Sequence, residues 1–104
     1  MSTVLPLRQG RPKRRVRPEP LWREAVGDVL REERAERGER IADVAARAGV
    51  APQYLSEIER GRKDPSSEVL AAVCGALDLT VREVATRASG TMSRNSAGTV
   101  CLAA

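Results

Sequence analysis

Between Ile41 and Arg60 the chain reads IADVAARAGVAPQYLSEIER. Ile41, Val44, Ala45 and Ala48 recur at spacings of three and four, so they share one face of a short helix. Gly49 stops that helix, because glycine takes the positive φ of a sharp exit at no steric cost. Pro52 fits the first turn of a second helix, where its missing N–H removes no bond. Leu55 and Ile58 form the inner stripe of that helix, Val50 plugs the angle between the two, and Gly61 ends the second. Ala45 is small where the two helices must close. The segment is a helix, a short turn and a helix.

Helical periodicity continues on both sides. From Leu21 to Arg37 the apolar positions Leu21, Trp22, Ala25, Val26, Val29 and Leu30 recur in the same way, with charge opposite and Gly38 as the stop. After the turn at Arg60–Asp64 and Pro65, Ser66 or Ser67 caps a helix that turns Val69, Leu70, Val73, Cys74 and Leu77 inward. Thr80 caps a fifth, with Glu83 completing a capping box and Val81 and Val84 buried. No segment of useful length alternates with period two. The expected fold class is all-α, with five helices over residues 21–88.

Composition agrees with small, closely packed helices. Of 104 residues 41% are hydrophobic but only 2% aromatic, so the core must be Ala, Val, Leu and Ile. The net charge of +4 is uneven. Residues 1–20 carry Arg8, Arg11, Lys13, Arg14, Arg15 and Arg17 against Glu19 alone, a net of +5, so the rest of the chain is nearly neutral. Pro6, Pro12, Pro18 and Pro20 keep this stretch out of a helix, and it reads as a disordered basic arm. Ser89–Ala104, rich in Ser, Thr, Gly, Ala and Asn with one charge, reads as a loose, flexible tail.

Whole classes of function fall away. Without histidine there is no imidazole base and no His-type metal ligand. Cys74 and Cys101 stand alone, with neither zinc spacing nor a disulfide framework, and Cys74 reads as a small core residue. No phosphate loop or nucleophile–base pair is visible, so no catalytic residue, metal or cofactor is expected and the chain does not read as an enzyme. The longest uncharged run, Asn95–Ala104, is too short to span a membrane, and the basic start lacks the apolar stretch of a signal peptide. A cytoplasmic protein is expected.

On spacing alone, residues 41–60 are either a helical hairpin in a bundle or a helix-turn-helix that presents its second helix to the DNA major groove. The run Val44 to Lys63, continued by Pro65-Ser66 and Leu77-Asp78-Leu79, resembles the Cro/C1-type (Xre) helix-turn-helix family over about residues 24–86. Tyr54-Leu55-Ser56-Glu57, Glu59-Arg60-Gly61, Ser66-Ser67-Glu68, Cys74 and Ala76-Leu77-Asp78 are similar to actinobacterial activators of Clp protease genes within it. The resemblance implies a compact five-helix, lambda-repressor-like domain that binds double-stranded operator or promoter DNA at the nucleoid, with RNA polymerase as a further partner. Such domains read few base pairs alone, so a homodimer with recognition helices about 34–36 Å apart is expected. The surface beyond Leu77, including Val81, Val84 and the start of the tail, is the expected dimer face. Two positions depart from the pattern: Ala51 stands where Ser or Thr is common, and Ile41 where Gln often contacts phosphate.

Burial of Leu55 and Ile58 turns Pro52, Gln53, Ser56 and Glu57 outward as candidate base readers. Gln pairs with adenine N6 and N7, Glu accepts from cytosine N4, Ser is permissive, and an apolar side chain meets a thymine methyl. Glu57 has a plainer reading as a solvated helix charge, and Tyr54 either touches phosphate or packs. Arg60, Arg62 and Lys63 suit phosphate contacts, as does Arg47 on the preceding helix. The family resemblance pairs Glu59 with Arg34 in a partly buried structural bridge.

Both termini carry signals of their own. Gly10-Arg11-Pro12-Lys13-Arg14 resembles the core of an AT-hook, with Gln9 where that motif has Arg. Arg11, Lys13, Arg14 and Arg15 therefore read as minor-groove or backbone contacts, the alternative being non-specific affinity through counterion release. Leu102, Ala103 and Ala104 resemble the end of the tag that directs bacterial proteins to Clp proteases, which makes a degron and a Clp partner one reading and an inert Ala-rich end the other. A repressor or antitoxin of the same fold, and an interaction module without DNA affinity, are the competing functions.

Overall fold

A computed structural model of the chain describes residues 20–103, with side chains described as far as Arg94. It contains five helices: α1 (Trp22–Glu36), α2 (Ile41–Ala48), α3 (Pro52–Glu59), α4 (Ser67–Ala76) and α5 (Val81–Ala103). Among the described residues there is no strand. The expected all-α, five-helix class is the one observed.

Local chemistry accounts for the helix ends. At the start of α4 the Ser66 hydroxyl accepts the Val69 N–H at 3.2 Å, and at α5 Thr80 and Glu83 exchange backbone bonds of 3.0 and 2.8 Å. The Glu24 carboxylate accepts the Leu21 N–H at 2.8 Å and so secures the start of α1. Four helices end alike: the two residues past the helix bond back to carbonyls of its last turn, as from Gly49 to Ala46 and from Val50 to Ala45. The turning residue takes a positive φ at each exit, and Asp78 (57°) serves where Gly38, Gly49 and Gly61 serve elsewhere.

The core is aliphatic throughout. Ala25, Val26, Val29 and Leu30 of α1 meet Val44 and Ala45 of α2, Leu55 and Ile58 of α3, Val73, Cys74 and Leu77 around α4, and Val84 and Ala88 of α5. Burying each large apolar side chain contributes about 1.5–3 kcal/mol. Gly27 marks a close approach of helices: a Cβ there would lie 2.3 Å from the Ile58 carbonyl oxygen. Removing that one atom lets α1 cross the end of α3.

Three expectations need correction. Leu21, Trp22 and Val81 are not core residues, being 48%, 41% and 41% exposed. Val84 lies fully within the core, so it cannot face a partner. The chain does not become loose at Ser89, since α5 runs from Val81 to Ala103. Ala88 is buried and Met92 packs on the same core, and this burial outweighs the weak helical propensity of the intervening Ser89, Gly90 and Thr91. α5 packs along α1, and Arg87 ties the two by donating to Glu33 at 2.9 Å. No helix among the described residues is long and apolar enough to cross a membrane.

Candidate nucleic-acid interface

α3 is divided by burial into two faces. Leu55 and Ile58 are fully buried and Glu59 is 5% exposed, which pins one side of the helix to the core. Pro52 and Gln53 are exposed, and Ser56 and Glu57 are half-buried at the edge of the opposite side. The structure thus brings the four expected base readers onto one outward surface. Tyr54 is half-buried and packs against the core, as the packing alternative requires.

The start of α3 differs from every other helix start. Glu24, Asp43, Glu68 and Glu83 place an acid in the first turn of α1, α2, α4 and α5, whereas α3 has none. Its positive dipole end is left uncompensated, which favours an approaching anion. The contrast was open to sequence reading, since the four acids stand where first turns begin.

Basic side chains sort into two groups. Arg31, Arg34, Arg37, Arg40, Arg47 and Arg87 each pair with a carboxylate. Lys63 lies 3.9 Å from Glu57, with both side chains partly exposed. Exposed Arg60 and Arg62 have no carboxylate within 4.0 Å among the described residues. With Arg60, Arg62 and Lys63 against Asp64, the α3–α4 turn therefore carries a net positive charge directly after the exposed face of α3.

Arg34 and Glu59 meet in a bidentate pair, with Nε to Oε2 at 2.7 Å and a second bond of 2.8 Å. Arg34 also donates to the Glu39 carbonyl at 3.0 Å. The bonds to Glu59 push the guanidinium above its ordinary range, against the opposing effect of burial. This pair lies on the inner side of α3 and fastens it to α1. Its chemistry is positional.

Arg47 is placed elsewhere. Its guanidinium donates to the Glu39 carboxylate at 2.6 Å and to the Ala76 carbonyl at 2.9 Å, closing the last turn of α4 beside an open cleft of about 520 Å³. The side chain is engaged in holding α2 against α4.

Sequence reading missed Arg23, whose Nε donates to the Gly61 carbonyl at 3.0 Å and sets α1 against the basic turn. A Cβ at Gly61 would meet Glu24 Cγ at 2.8 Å, so the turn and α1 fit only with glycine there. The separation of 38 residues leaves no local signal. Burial raises the Cys74 thiol above its ordinary pKa, in keeping with a core position. Arg11, Lys13, Arg14, Arg15 and Ala104 lie outside the described residues; Leu102 and Ala103 belong to α5, but their side chains are not described.

Comparison with known proteins gives this geometry a family context. The helix-turn-helix family model matches residues 30–84. The transcriptional regulator ClgR of Mycobacterium tuberculosis is 51% identical over 74 residues, covering 71% of this chain and 66% of its own length. The chain therefore spans just under two thirds of that curated relative. A crystal structure of the clp gene regulator ClgR from Corynebacterium glutamicum superposes with a TM-score of 0.74 at 49% identity, covering 78% of this chain and 86% of that one. The restriction-modification controller protein C.Esp1396I, solved as a tetramer on its 35 base-pair operator, shares the fold at 20% identity and a TM-score of 0.64, over 71% of this chain and 97% of that one.

Proposed function

Because this chain belongs to the helix-turn-helix family of Cro/C1 type, we propose that it is a sequence-specific DNA-binding regulator of transcription in which α3 enters the major groove. What carries this reading is the outer face of α3: exposed Gln53 beside Ser56 and Glu57, at a helix start without an acid in its first turn and followed by Arg60 and Arg62, which have no carboxylate within 4.0 Å among the described residues. Gln53 and Glu57 read base edges with Ser56 assisting, Pro52 touches a thymine methyl, and Arg60, Arg62 and Lys63 hold phosphates. Tyr54, set at the edge of the face, adds a phosphate hydroxyl to its packing role. With its guanidinium already engaged, Arg47 acts from behind this surface. The protein works as a homodimer on a pseudo-palindromic site, as helix-turn-helix geometry favours.

The similarity to ClgR supports a finer reading: a cytoplasmic, nucleoid-associated activator of Clp protease genes that works through RNA polymerase, with Leu102, Ala103 and Ala104 as a degron for Clp protease. Selection of bound duplexes from a random library tests the coarse reading, which fails if no sequence is enriched over competitor at low salt. Chromatin immunoprecipitation tests the finer one. Peaks at Clp protease promoters, with transcription falling on deletion of the regulator, are expected; scattered peaks, or rising transcription, refute activation there.

A further inference from the structure

The peptide unit joining Gly61 to Arg62 is held at both ends. Its carbonyl accepts from Arg23 Nε at 3.0 Å, a side chain of α1 lying 38 residues away in sequence. Its N–H, carried by Arg62, donates to the Glu57 carbonyl of α3 at 2.9 Å. A peptide unit is planar and rigid, so fixing both groups fixes its orientation. A third restraint is steric. A Cβ on Gly61 would lie 2.9 Å from Glu24 Cα, so the turn rests directly on the backbone of α1. Gly61 is accordingly buried, while Arg60 and Arg62 are exposed on either side of it.

Beyond this unit little else shapes the turn. Among the described residues, no backbone N–H from Lys63 to Ser66 has a hydrogen-bond partner. The direction in which the chain leaves α3 is therefore set at Gly61. Arg23 has no carboxylate within 4.0 Å among the described residues, and the Gly61 carbonyl is the partner that orients it. Of the three restraints, this bond is the one that a side-chain change can remove without touching the turn itself.

We propose that Arg23 is a positioning residue for DNA binding: by holding the Gly61–Arg62 peptide it presets the α3–α4 turn in the free protein, so that a duplex meets basic side chains already in place. The inference rests on the DNA-binding reading above and adds to it a residue of α1 that touches no DNA itself. A turn ordered before binding need not be ordered at the moment of contact, and the gain appears as affinity without a further phosphate contact.

Two neutral substitutions separate the bond from the charge. In Arg23→Gln the side-chain amide nitrogen stands as many bonds from Cα as Arg Nε and replaces the donor, whereas Arg23→Met places a carbon there. The full chain carrying each is compared by fluorescence anisotropy over a salt series, well below its melting temperature, on a duplex enriched from a random library and on a random-sequence duplex. Arg23→Met is expected to bind both about 3- to 10-fold more weakly than Arg23→Gln. Their log–log salt plots should run parallel, because no phosphate contact is lost. Coincident plots, or slopes that differ by about 0.9 or more, overturn the proposal. Amide exchange in the free proteins gives a readout in which DNA takes no part. The Arg62 N–H should exchange faster in Arg23→Met and at the wild-type rate in Arg23→Gln; equal protection in the two overturns the proposal as well. If Arg23→Met fails to fold, Arg23→Gln carries the test alone, since loss of its Arg62 protection is an overturning result. Enrichment of no duplex by the full chain would instead refute the reading of α3, while amide exchange still judges the hold on Gly61, so the two failures are distinct.

Discussion

Glu57 and Glu59 stand two residues apart on α3 and live in opposite surroundings. Glu59 is 5% exposed, with both oxygens held by Arg34 at 2.7 and 2.8 Å. Glu57 is 29% exposed, with the Lys63 ammonium as its one ion-pair neighbour among the described residues, at 3.9 Å. At about 100° of rotation per residue, two steps carry a side chain from the α1 seam to the outer edge. The inner carboxylate fixes where α3 sits, and the outer one stays partly open to solvent. A buried ion pair adds little net stability over an apolar pair of the same shape, but losing one partner strands a charge. The seam is therefore placed to govern whether the domain folds, and on the proposed function the outer face is what selects DNA.

Breaking the seam should give the largest effect. Arg34→Ala leaves the Glu59 carboxylate buried without its partner and is expected to cost about 3–5 kcal/mol. For a domain of this size that lowers Tm by at least about 12 °C, at the lower end of about 4 °C per kcal/mol. Glu59→Ala should cost less, because Arg34 is 21% exposed and keeps its bond to the Glu39 carbonyl. Thermal melts of both variants and the double variant check this as a cycle. A wild-type Tm for Arg34→Ala would show that the pair does not hold α3.

Gly27 lies on the same seam and gives the next effect. Its substitution by Ala places Cβ 2.3 Å from the Ile58 carbonyl and 2.8 Å from that of Glu59, neither of which is a side chain that can swing away. The overpacking penalty of about 1–3 kcal/mol exceeds the gain of roughly 0.8–1 kcal/mol from replacing a helical glycine. Gly75 is the control: nothing lies within 4 Å of its Cβ position, so Gly75→Ala should stabilise by about 0.5–1 kcal/mol. Urea midpoints of opposite sign relative to wild type are expected. A stabilising Gly27→Ala would mean that α1 and α3 do not close there.

What was legible before any coordinates was what repeats or sits close in sequence. The three- and four-residue spacing of Val44, Leu55, Ile58 and Val73 located helices and core, and Ser66, Thr80 and Glu83 marked starts by chemistry confined to four residues. The Arg34–Glu59 pair, 25 residues apart, came from family resemblance; spacing carried no trace of it. Contacts of that kind were otherwise missed. Gly27 meets the end of α3 across more than thirty residues, and Arg47 finds the Ala76 carbonyl 29 residues away, where a phosphate contact had been the natural reading of an exposed arginine. The continuation of α5 past Ser89 was hidden for another reason: Ser, Gly and Thr are poor helix formers, and packing of Ala88 and Met92 on the core favours the extension.

The outer face should give the smallest effect on stability and the most specific effect on binding. Glu57→Ala removes a half-exposed side chain whose ion pair spans 3.9 Å, so its melting free energy should move by no more than about 0.5 kcal/mol. At the enriched duplex, discrimination at one base pair should relax by about 1–3 kcal/mol if the carboxylate accepts from a base. On unrelated DNA the sign reverses, because the variant loses a negative charge facing phosphates and releases Lys63 to contact them. Specific binding that weakens while non-specific binding tightens is therefore the signature of a base-reading acid. A charge that is merely solvated gives the second change without the first, and competition with single-base-pair variants of the enriched duplex separates the two.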